Sequence, residues 1–397
     1  MAKKYELLSP VGDFASLHAA IESGADAAYF GLKEFNMRDN AKNFTIKDLD
    51  KIKKICSEKK VKMYLTLNTI IYDSEIARLK KVIKKIKGKV NAVICWDLSV
   101  IELCRKYKIP FHISTQASVS NSESAKFYKK LGAERIVLAR ELSLKQIKKI
   151  SKIIEIECFA HGAMCVSVSG RCFTSQFLNP CGNLSANRGR CSHPCRRAYR
   201  IIDEDNNELV VQNSRVMSAK DLCTLPFIER MKKAGIKSFK IEGRNRNPEY
   251  VSAVTKVYRK ALDRKLSKRE IAESLEELKK VYNRGFSSGF YIRMPTADDF
   301  SFSENGEQTE KKEFIGRITK YWPKAESAAL KLFHGKIKRG DEVYIIGKDS
   351  GIKRVRIESM QKHNKSISEA EKGEEIGIKV PKCFCGDEVY KIIENKK

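Results

Sequence analysis

With 397 residues, of which 42% are hydrophobic and 32% charged, the chain is long enough for one large domain and a smaller one. No apolar run approaches the roughly 20 residues of a membrane helix. Glu6 interrupts the N-terminus before a signal peptide could form, so membrane and secreted classes are excluded and we expect a cytoplasmic protein. The formal net charge of +29 favours a polyanionic partner, nucleic acid first, although a generally lysine-rich surface would give the same excess.

Short apolar, β-branched stretches alternate with helical patterns from the N-terminus onward, as in βα units around a parallel sheet. Segments such as TIKDLDKIKKICSEKK place apolar residues at helical spacing with lysines opposite. The predicted strands are residues 5–8, 27–30, 61–67, 92–95, 111–114, 135–138, 154–159 and 238–241. Eight strands in this alternation predict an α/β fold, a TIM-like (β/α)8 barrel.

The connection between the seventh and eighth strands is much longer than the others. It contains a Cys-rich insertion, residues 159–223, which includes a polar, hairpin-like piece, YRIIDEDNNELVVQ. In SAKDLC, Ser218 and Asp221 form a capping-box pattern that predicts the start of a helix. A long insertion at the catalytic end of a barrel usually carries function.

The polar stretch 295–312 lacks hydrophobic periodicity and predicts a linker, which bounds the barrel domain at residues 1–294. Residues 313–397 contain short strand patterns such as GDEVYIIG and GDEVYKII, with glycine and charged turns between them. They predict a small C-terminal all-β barrel.

The cysteines of the insertion are the strongest chemical signal. Twelve in the whole chain are too few for a disulfide scaffold, and cytosolic thiols stay reduced, so a cluster indicates metal binding or catalysis. The main set is Cys165, Cys172, Cys191 and Cys195, with Cys181 and Cys223 as substitutes. Only Cys191 and Cys195 have zinc-knuckle spacing. An iron–sulfur cluster suits a long-loop thiolate set at least as well, and zinc, redox thiols or plain packing stay open.

Polar residues at the ends of the predicted strands form the candidate catalytic ring, since barrel enzymes place their chemistry there. The ring consists of Gln116, Arg140, His161, Glu242 and Arg244, with Asn68 and Asp97 beside it. A glutamate beside an arginine and near a histidine can bind and polarise a small molecule that bears a carboxylate. The alternative is that some of these residues are caps or structural ion pairs.

An arginine run without acidic residues lies among the cysteines, and it predicts contact with a phosphate backbone. Its members are Arg188, Arg190, Arg196, Arg197 and Arg200. The sequence contains no P-loop, no G-x-G-x-x-G and no H-E-x-x-H motif, so it offers no recognisable protease machinery.

The stretch ECFAHGAMCVSVSGRCFTS, residues 157–175, resembles the signature of the collagenase-like peptidase U32 family, E-x-F-x-x-G-[SA]-aliphatic-C-x₄-G-x-C-x-aliphatic-S. Only Thr174 departs from it, where the family has an aliphatic residue. Other segments agree with the family: ELLSPVGDFASLHAAIESGADAAYFGLKEFNMRDNAKNF near the start, HISTQASVSN, SANRGRCSHPCR, SAKDLC and SFKIEGRNRNPEY. GKIKRGDEVYIIG resembles its C-terminal domain, itself similar to domain 2 of elongation factor Tu. The resemblance spans nearly the whole chain.

The resemblance implies an iron–sulfur-dependent enzyme, because better-understood members resemble proteins that hydroxylate the tRNA wobble uridine, ribosomal RNA cytidine or ubiquinone precursors. It implies a [4Fe–4S] cluster on Cys165, Cys172, Cys191 and Cys195, with Cys223 as the rival fourth ligand. It also implies prephenate as the oxygen donor and, since some relatives work as pairs, a second subunit. The basic loop favours the RNA branch, and wobble-uridine 5-hydroxylation is the expected function. The alternatives are a U32-type peptidase and a non-catalytic RNA-binding module with structural metal.

Overall fold

The computed structural model describes residues 4–39, 41–168, 171–178, 185–209, 217–303 and 306–395. The strands up to residue 287 are β1 (Glu6–Pro10), β2 (Ala27–Gly31), β3 (Lys62–Thr66), β4 (Ala92–Cys95), β5 (Phe111–Ile113), β6 (Arg135–Val137), β7 (Glu155–Gly162), β8 (Ile201–Ile202), β9 (Glu208–Leu209), β10 (Asp221–Cys223), β11 (Ser238–Ile241) and β12 (Phe286–Ser287).

The first seven strands and β11 form a closed parallel barrel. Strands β1 to β7 pair in chain order, and β11 pairs with both β7 and β1, which closes the sheet on itself. All eight predicted strands are confirmed, with ends that differ by a few residues at most, and so is the TIM-like barrel. Strand β10 lies outside the ring, antiparallel to the end of β7, and pairs with β12.

Helices pack around the barrel with their apolar faces inward. In chain order the helices are α1 (Phe14–Glu22), α2 (Leu49–Glu58), α3 (Ile76–Ile86), α4 (Leu98–Tyr107), α5 (Ser122–Lys130), α6 (Leu144–Ile150), α7 (Thr174–Phe177), α8 (Ile228–Lys233), α9 (Pro248–Asp263) and α10 (Lys268–Lys280). Helix α7 is the exception to this packing, because it is a single turn within the insertion. Helix α3 is representative, since it buries Leu79, Val82, Ile83 and Ile86 at helical spacing. No helix in the described ranges is long and apolar enough to cross a membrane.

A buried ionic layer lies inside the barrel. Arg135 on β6 forms ion pairs with Glu6 and, at 3.2 Å, with Glu157, which is completely buried. The Lys240 ammonium lies 2.8 Å from the other oxygen of Glu157. Inward-facing apolar side chains share the interior: Leu8, Ala27, Tyr29, Tyr64, Ala92 and Ile94. Charged side chains therefore replace part of the branched aliphatic filling that barrels of this kind usually have.

We expect Arg135→Met to lower the free energy of unfolding by about 3–5 kcal/mol, because it leaves buried carboxylates without their partner. Burial raises the pKa of Glu6, but the charge and hydrogen bond of Arg135, together with Lys62 and Tyr64, outweigh burial and hold that pKa at about 2, below its ordinary 4.5. This stabilisation is therefore present above about pH 4.5 and is lost as the pH falls toward about 2. Urea unfolding across that range should show a flatter profile for the variant.

The control for this prediction is Arg105→Met. Arg105 forms an exposed pair with Glu102 at 2.8 Å, and breaking such a pair should cost less than about 1 kcal/mol. An equally small loss in Arg135→Met would contradict the stabilising role of the ionic layer.

The secondary structure of the C-terminal part of the insertion differs in part from the prediction. Strands β8 and β9 form the expected antiparallel hairpin. The capping-box prediction at Ser218 and Asp221 is wrong, because Asp221 begins strand β10 and the helix, α8, begins only at Ile228. Pairing with β7 overrides the local helix signal. Cys181 lies outside the described residues.

Part of the predicted linker 295–312 is folded against the insertion. The Lys220 N–H donates to the Asp299 carbonyl at 2.8 Å, and the Ser301 N–H donates to the Ser218 carbonyl at 2.6 Å. The next strand already begins at Glu310. Backbone hydrogen bonds hold this segment in place. Such bonds do not require a periodic pattern of hydrophobic residues, so the sequence did not reveal them.

The C-terminal domain is all β, as predicted. Its strands are β13 (Glu310–Trp322), β14 (Ser327–Leu332), β15 (Lys336–Lys338), β16 (Glu342–Gly347), β17 (Gly351–Arg356), β18 (Met360–Lys362), β19 (Lys365–Ser366), β20 (Glu369–Glu371), β21 (Glu375–Lys379) and β22 (Glu388–Glu394). They enclose a separate core that includes Ile318, Leu330, Val343 and Ile376. The domain contacts the barrel at α1 and α9, where Lys312 pairs with Glu249 at 2.8 Å.

Candidate functional site

A cavity of about 490 Å³ opens where the barrel strands end and the insertion covers them. Thr66 and Ile94, at the ends of β3 and β4, line its barrel side, and Cys172 and Cys191 line its insertion side. Its size is that of a small-molecule site. The insertion therefore contributes to the site at the catalytic face of the barrel.

The cavity is strongly cationic. Seven basic side chains line it: Arg38, Arg140, Arg196, Lys240, Arg244, Arg246 and Arg284. Among the described residues that line it, Glu242 is the only carboxylate. This balance of charge suits an anionic ligand.

Glu242, which follows β11, is the centre of the charged network. Arg38 donates to its Oε1 at 3.0 Å, and the Arg140 guanidinium lies 3.9 Å from its Oε2. Burial raises the pKa of Glu242, but the charges of Arg38, Arg140 and Arg244 outweigh burial and hold this pKa at about 2. Glu242 is therefore a carboxylate at neutral pH, and it orients two arginines toward the cavity.

The two predicted arginines of the ring are held differently. Arg244 donates to Thr66 Oγ1 at 2.8 Å and to Asn36 Oδ1 at 3.2 Å, and burial lowers its pKa to about 10. Arg140 stacks 3.7 Å from the Phe159 ring centroid and donates to the Ala163 carbonyl at 2.8 Å. The buried Nε of Arg140 has no hydrogen-bond partner among the described residues. It is an unused donor beside a cavity that basic side chains line.

The other predicted strand-end residues divide into cavity and structural roles. Gln116 and Asn68 line the cavity, and both contact the Ser114 hydroxyl. Asp97 instead caps α4, because its carboxylate accepts from the Ser99 N–H at 2.9 Å. Asp97 is therefore a helix cap, which was the alternative to a catalytic role for the strand-end residues.

His161 does not reach the cavity. Its ring packs outside the barrel wall, 5.5 Å from the Phe286 ring, and its Nδ1 lies 3.4 Å from Tyr258 Oη. Burial lowers its pKa to about 3, so the ring is neutral. The reason is a register shift between β7 and β11, which pairs Lys240 with Phe159 but Ile241 with His161, and so turns His161 to the outer face. Its contribution to the site is a backbone carbonyl that accepts from the Glu242 N–H at 2.8 Å.

Four insertion thiols line the same cavity: Cys165, Cys172, Cys191 and Cys195. The Ser175 hydroxyl donates to Cys191 Sγ at 3.5 Å. Burial raises the pKa of Cys172, but hydrogen bonds, first that with Thr174, outweigh burial and leave its pKa below the usual range. Burial also raises the pKa of Cys195, and the nearby positive charge of Arg196 offsets part of that shift.

Cys223 lies apart from these four thiols. It is buried on β10, beside Tyr258 Oη at 3.7 Å, and lines a different, apolar groove. Burial raises its pKa to about 11. The structure therefore brings Cys195, and not Cys223, to the cavity that Cys165, Cys172 and Cys191 line.

The spacing of the thiols bears on which metal could bind. Across the described ranges, no three His, Cys, Asp or Glu side chains form a group that could hold a metal ion. A single zinc needs ligands at about 2.3 Å and so sulfurs within about 4 Å of one another. Four cysteines around one cavity match the all-cysteine donor set of a [4Fe–4S] cluster in type and number, and the binding of a cluster there stays a prediction.

The arginine run is mostly engaged within the protein. Arg188 forms a two-pronged pair with Glu75, Arg190 pairs with Asp39 at 2.6 Å, and Arg200 pairs with Glu208. Arg196 donates to the Met164 carbonyl at 2.5 Å and lines the cavity. Arg197 is exposed, and no ion pair or hydrogen bond joins its side chain to another described residue.

Several residues that line the cavity do not lie at the end of a barrel strand and were not predicted. Arg38 lies in the loop after β2, and Arg284 precedes β12, so neither ends a barrel strand. Tyr29 is buried on β2 and donates to the Ile241 carbonyl at 2.8 Å. The family-like segment NMRDNAKNF contains Arg38 and was the available sequence signal.

Comparisons with known proteins agree with this architecture. The family model of peptidase family U32 matches residues 12–301, and that of elongation factor Tu domain 2 matches residues 328–382. A relative named a collagenase, from Porphyromonas gingivalis, is 38% identical over 98% of this chain and 97% of its own length. A relative named an uncharacterized protease, from Methanocaldococcus jannaschii, is 39% identical over 98% of each chain.

A further relative is named for RNA chemistry. The tRNA hydroxylation protein P1 of Bacillus subtilis is 34% identical over 87% of this chain and 84% of its own length. The family model covers most of the chain, and the relatives align across both domains. The chain therefore belongs to peptidase family U32.

Proposed function

We propose that this protein is an RNA-modifying enzyme that hydroxylates an unpaired pyrimidine, the wobble uridine of transfer RNA at its C5 position. The observation that carries the proposal is the single cavity in which four thiols face a cationic pocket centred on Glu242. The similarity to a tRNA hydroxylation protein supports the same conclusion. The net charge of +29 fits an RNA substrate.

The cationic side of the cavity would hold a small anionic oxygen donor, for which prephenate, a dicarboxylate, is our candidate. Arg140 offers its unpartnered Nε–H, and the buried Arg244 lines the same cavity. Arginines bind carboxylates through paired, charge-assisted hydrogen bonds. Glu242 would keep Arg38 and Arg140 in position and would itself repel a misplaced carboxylate.

The thiol side would hold a [4Fe–4S] cluster through Cys165, Cys172, Cys191 and Cys195. All-cysteine ligation is the usual support of such clusters. When bound, the cluster would supply redox or Lewis-acid chemistry at this side of the cavity. The chain's own contribution is to place thiolates and arginines around one space that is large enough for a small molecule.

An RNA base could reach the cavity only if it is unpaired. The cavity lies below the insertion at the end of the barrel, and proteins read RNA bases mainly where loops expose them. A base must leave its stack before an enzyme can modify its ring. An anticodon loop meets this requirement, whereas the interior of a duplex does not.

Nucleoside analysis tests the proposal. Protein purified without oxygen should convert uridine to 5-hydroxyuridine in unmodified tRNA when prephenate is supplied, and Arg140→Met should abolish the conversion. A deletion strain should lack hydroxyuridine-derived nucleosides at the wobble position. An unchanged nucleoside profile in that strain would refute the function.

A peptidase is the second candidate, because a relative is named a collagenase. Within the described residues, the cavity contains one carboxylate, and no hydrogen bond joins a serine or cysteine side chain to a histidine ring. Neither an aspartic dyad nor a nucleophile–histidine pair is therefore formed there. Gelatin cleavage by purified protein, lost in Glu242→Gln, would favour this candidate over RNA hydroxylation.

We expect Arg197→Ala to weaken tRNA binding and to reduce the slope of log affinity against log salt by about one, because it removes one phosphate contact. Arg188→Ala should act differently, since Arg188 pairs with the largely buried Glu75. Its effect should be a loss of stability, with the salt slope unchanged. Binding titrations at several salt concentrations, beside urea unfolding, separate the two. Equal slopes for Arg197→Ala and wild type would contradict this contact.

A further inference from the structure

An aromatic pair stands on the outer side of the thiol-bearing insertion. Phe173 and Phe177 are 60% and 76% exposed, which is unusual for phenylalanine. Their rings stack with centroids 6.1 Å apart and planes inclined by 29°. Further apolar side chains of the same segment are also exposed: Val166, Val168 and Leu178. A soluble protein rarely leaves such a group uncovered unless something binds there.

The helix that carries this pair also contacts the thiols. Helix α7 is one turn long, Thr174–Phe177. The Cys172 thiol donates to Thr174 Oγ1 at 3.2 Å, and the buried Ser175 hydroxyl donates to Cys191 Sγ at 3.5 Å. One face of the turn therefore touches the thiol set at the cavity, while the other face presents the phenylalanines to solvent.

The segment is anchored to the barrel just before the pair. Arg171 donates to the Gln116 carbonyl at 2.9 Å, and its guanidinium lies 5.0 Å from the Trp96 ring centroid. Thr174 itself lines the cavity. The aromatic pair is thus fixed next to the cavity.

The charge around the pair indicates what binds it. The chain contains no acidic residue between Glu157 and Asp203, whereas six arginines lie in that interval, three of which form ion pairs within the protein: Arg188, Arg190 and Arg200. Bases of single-stranded RNA stack on exposed aromatic rings while cations hold the phosphates. An aromatic pair in a segment without negative charge, beside a cationic cavity, has the composition of such a surface.

We propose that Phe173 and Phe177 form a stacking platform for the unpaired nucleotide that neighbours the modified base in the RNA substrate. The proposal rests on the RNA-modifying function proposed above and adds how the target loop is held. Stacking the neighbouring base next to the cavity would leave the target base free to enter it. Sequence preference would be weak, because every base has a face that can stack.

The test compares RNA affinities by fluorescence anisotropy, with an anticodon stem-loop and a fully paired duplex as probes. Phe173→Ala/Phe177→Ala should bind the stem-loop about tenfold more weakly or worse, since stacking is lost. Duplex binding and the salt slope should not change. Phe173→Leu/Phe177→Leu should stay weak, because leucine keeps apolar area without a ring, and Phe173→Trp/Phe177→Trp should restore binding.

The matched control is Phe127→Ala on α5, because Phe127 is 57% exposed and lies outside the insertion. It should bind as wild type does. Thermal melting should be the same for all variants, since the changed side chains are exposed. Stem-loop affinity within twofold of wild type in Phe173→Ala/Phe177→Ala would overturn the platform.

Two further outcomes also decide the matter. If wild-type protein self-associates in sedimentation and the double alanine variant does not, with RNA affinity unchanged, the pair is an interface between copies and the platform is refuted. If wild-type protein neither binds nor hydroxylates any RNA, the proposed function fails together with the platform. Normal wild-type hydroxylation with equal activity in the double variant refutes the platform alone.

Discussion

Cys195→Ala protein, purified without oxygen, is expected to lose most of its iron and acid-labile sulfide together with RNA hydroxylation, whereas Cys223→Ala protein keeps both. The two residues are the competing fourth ligands of the expected cluster. Cys195 lines the cavity with Cys165, Cys172 and Cys191, while Cys223 is buried on β10 and faces another groove.

The expected sizes of the two effects differ greatly. Substitution of a residue that hydrogen-bonds to a metal ligand already lowers metal affinity or activity by about 10–100-fold. Removal of a ligand itself should therefore lower them by more than about 100-fold. Cys223→Ala removes one buried sulfur atom and should cost about 1 kcal/mol of stability. Iron and sulfide analysis, a visible spectrum and hydroxylation assays on the same preparations measure both.

Cys172→Ala and Cys191→Ala complete the series, and both should behave as Cys195→Ala does. Iron loss in Cys223→Ala, with iron retained in Cys195→Ala, would exchange the two ligands and require the insertion to rearrange. Stoichiometric zinc in place of iron in the wild-type protein would refute the cluster and favour a structural-metal module that binds RNA without catalysis.

The features that could be predicted from the sequence are those that depend on local pattern alone. The barrel strands were predictable because each is a short apolar run bounded by helical patterns, as in VKMYLTL around β3. Glu242 and Arg244 were predictable as site residues because they follow a strand directly. The cysteines of the insertion could be grouped by their place in one loop.

His161 illustrates what sequence could not supply. Alternation along β7 places it on the same face as Phe159, yet one irregular residue in the pairing with β11 turns it outward. The predicted helix start at Asp221 was wrong for a related reason, because pairing with β7 places this residue in a strand. Register shifts depend on partners far away in the chain, and no local signal records them.

The carboxylates that pair with the arginines could not be predicted from the sequence either. Arg188 and Arg190 lie in a run without acidic neighbours, but their partners, Glu75 and Asp39, come from loops of other βα units. Arg38, in the loop after β2, pairs with Glu242, which follows β11. A basic run therefore overestimates the charge available for RNA, because folding neutralises part of it.

Glu242→Gln is expected to reduce hydroxylation by at least about 100-fold while the protein remains folded at neutral pH. The amide keeps the shape of the side chain but removes the charge that orients Arg38 and Arg140. Small misplacements of positioning groups can cost this much in rate. Without the carboxylate, the positive charges of the neighbouring arginines should repel one another. Their side chains would then move away from the positions in which they bind an anionic donor.

Stability should change with pH in a defined way. The pKa of Glu242 is held at about 2, below its ordinary 4.5, so its ionised form stabilises the fold above about pH 4.5. That contribution, about 3 kcal/mol, is lost as the pH falls toward about 2. Wild type should therefore exceed Glu242→Gln in unfolding free energy at neutral pH, and the difference should shrink as the pH falls through this range.

Glu249→Gln is the matched control, because Glu249 lies in the first turn of α9, the helix after the loop of Glu242, and pairs with Lys312 at 2.8 Å. That pair is partly exposed and away from the cavity, so the variant should lose about 1 kcal/mol or less and keep its activity. The pH profile distinguishes an electrostatic role from mere packing, since an isosteric amide packs like the acid. Full turnover in Glu242→Gln, with the stability difference intact, would assign Glu242 to the fold and leave the arginines alone to bind the donor.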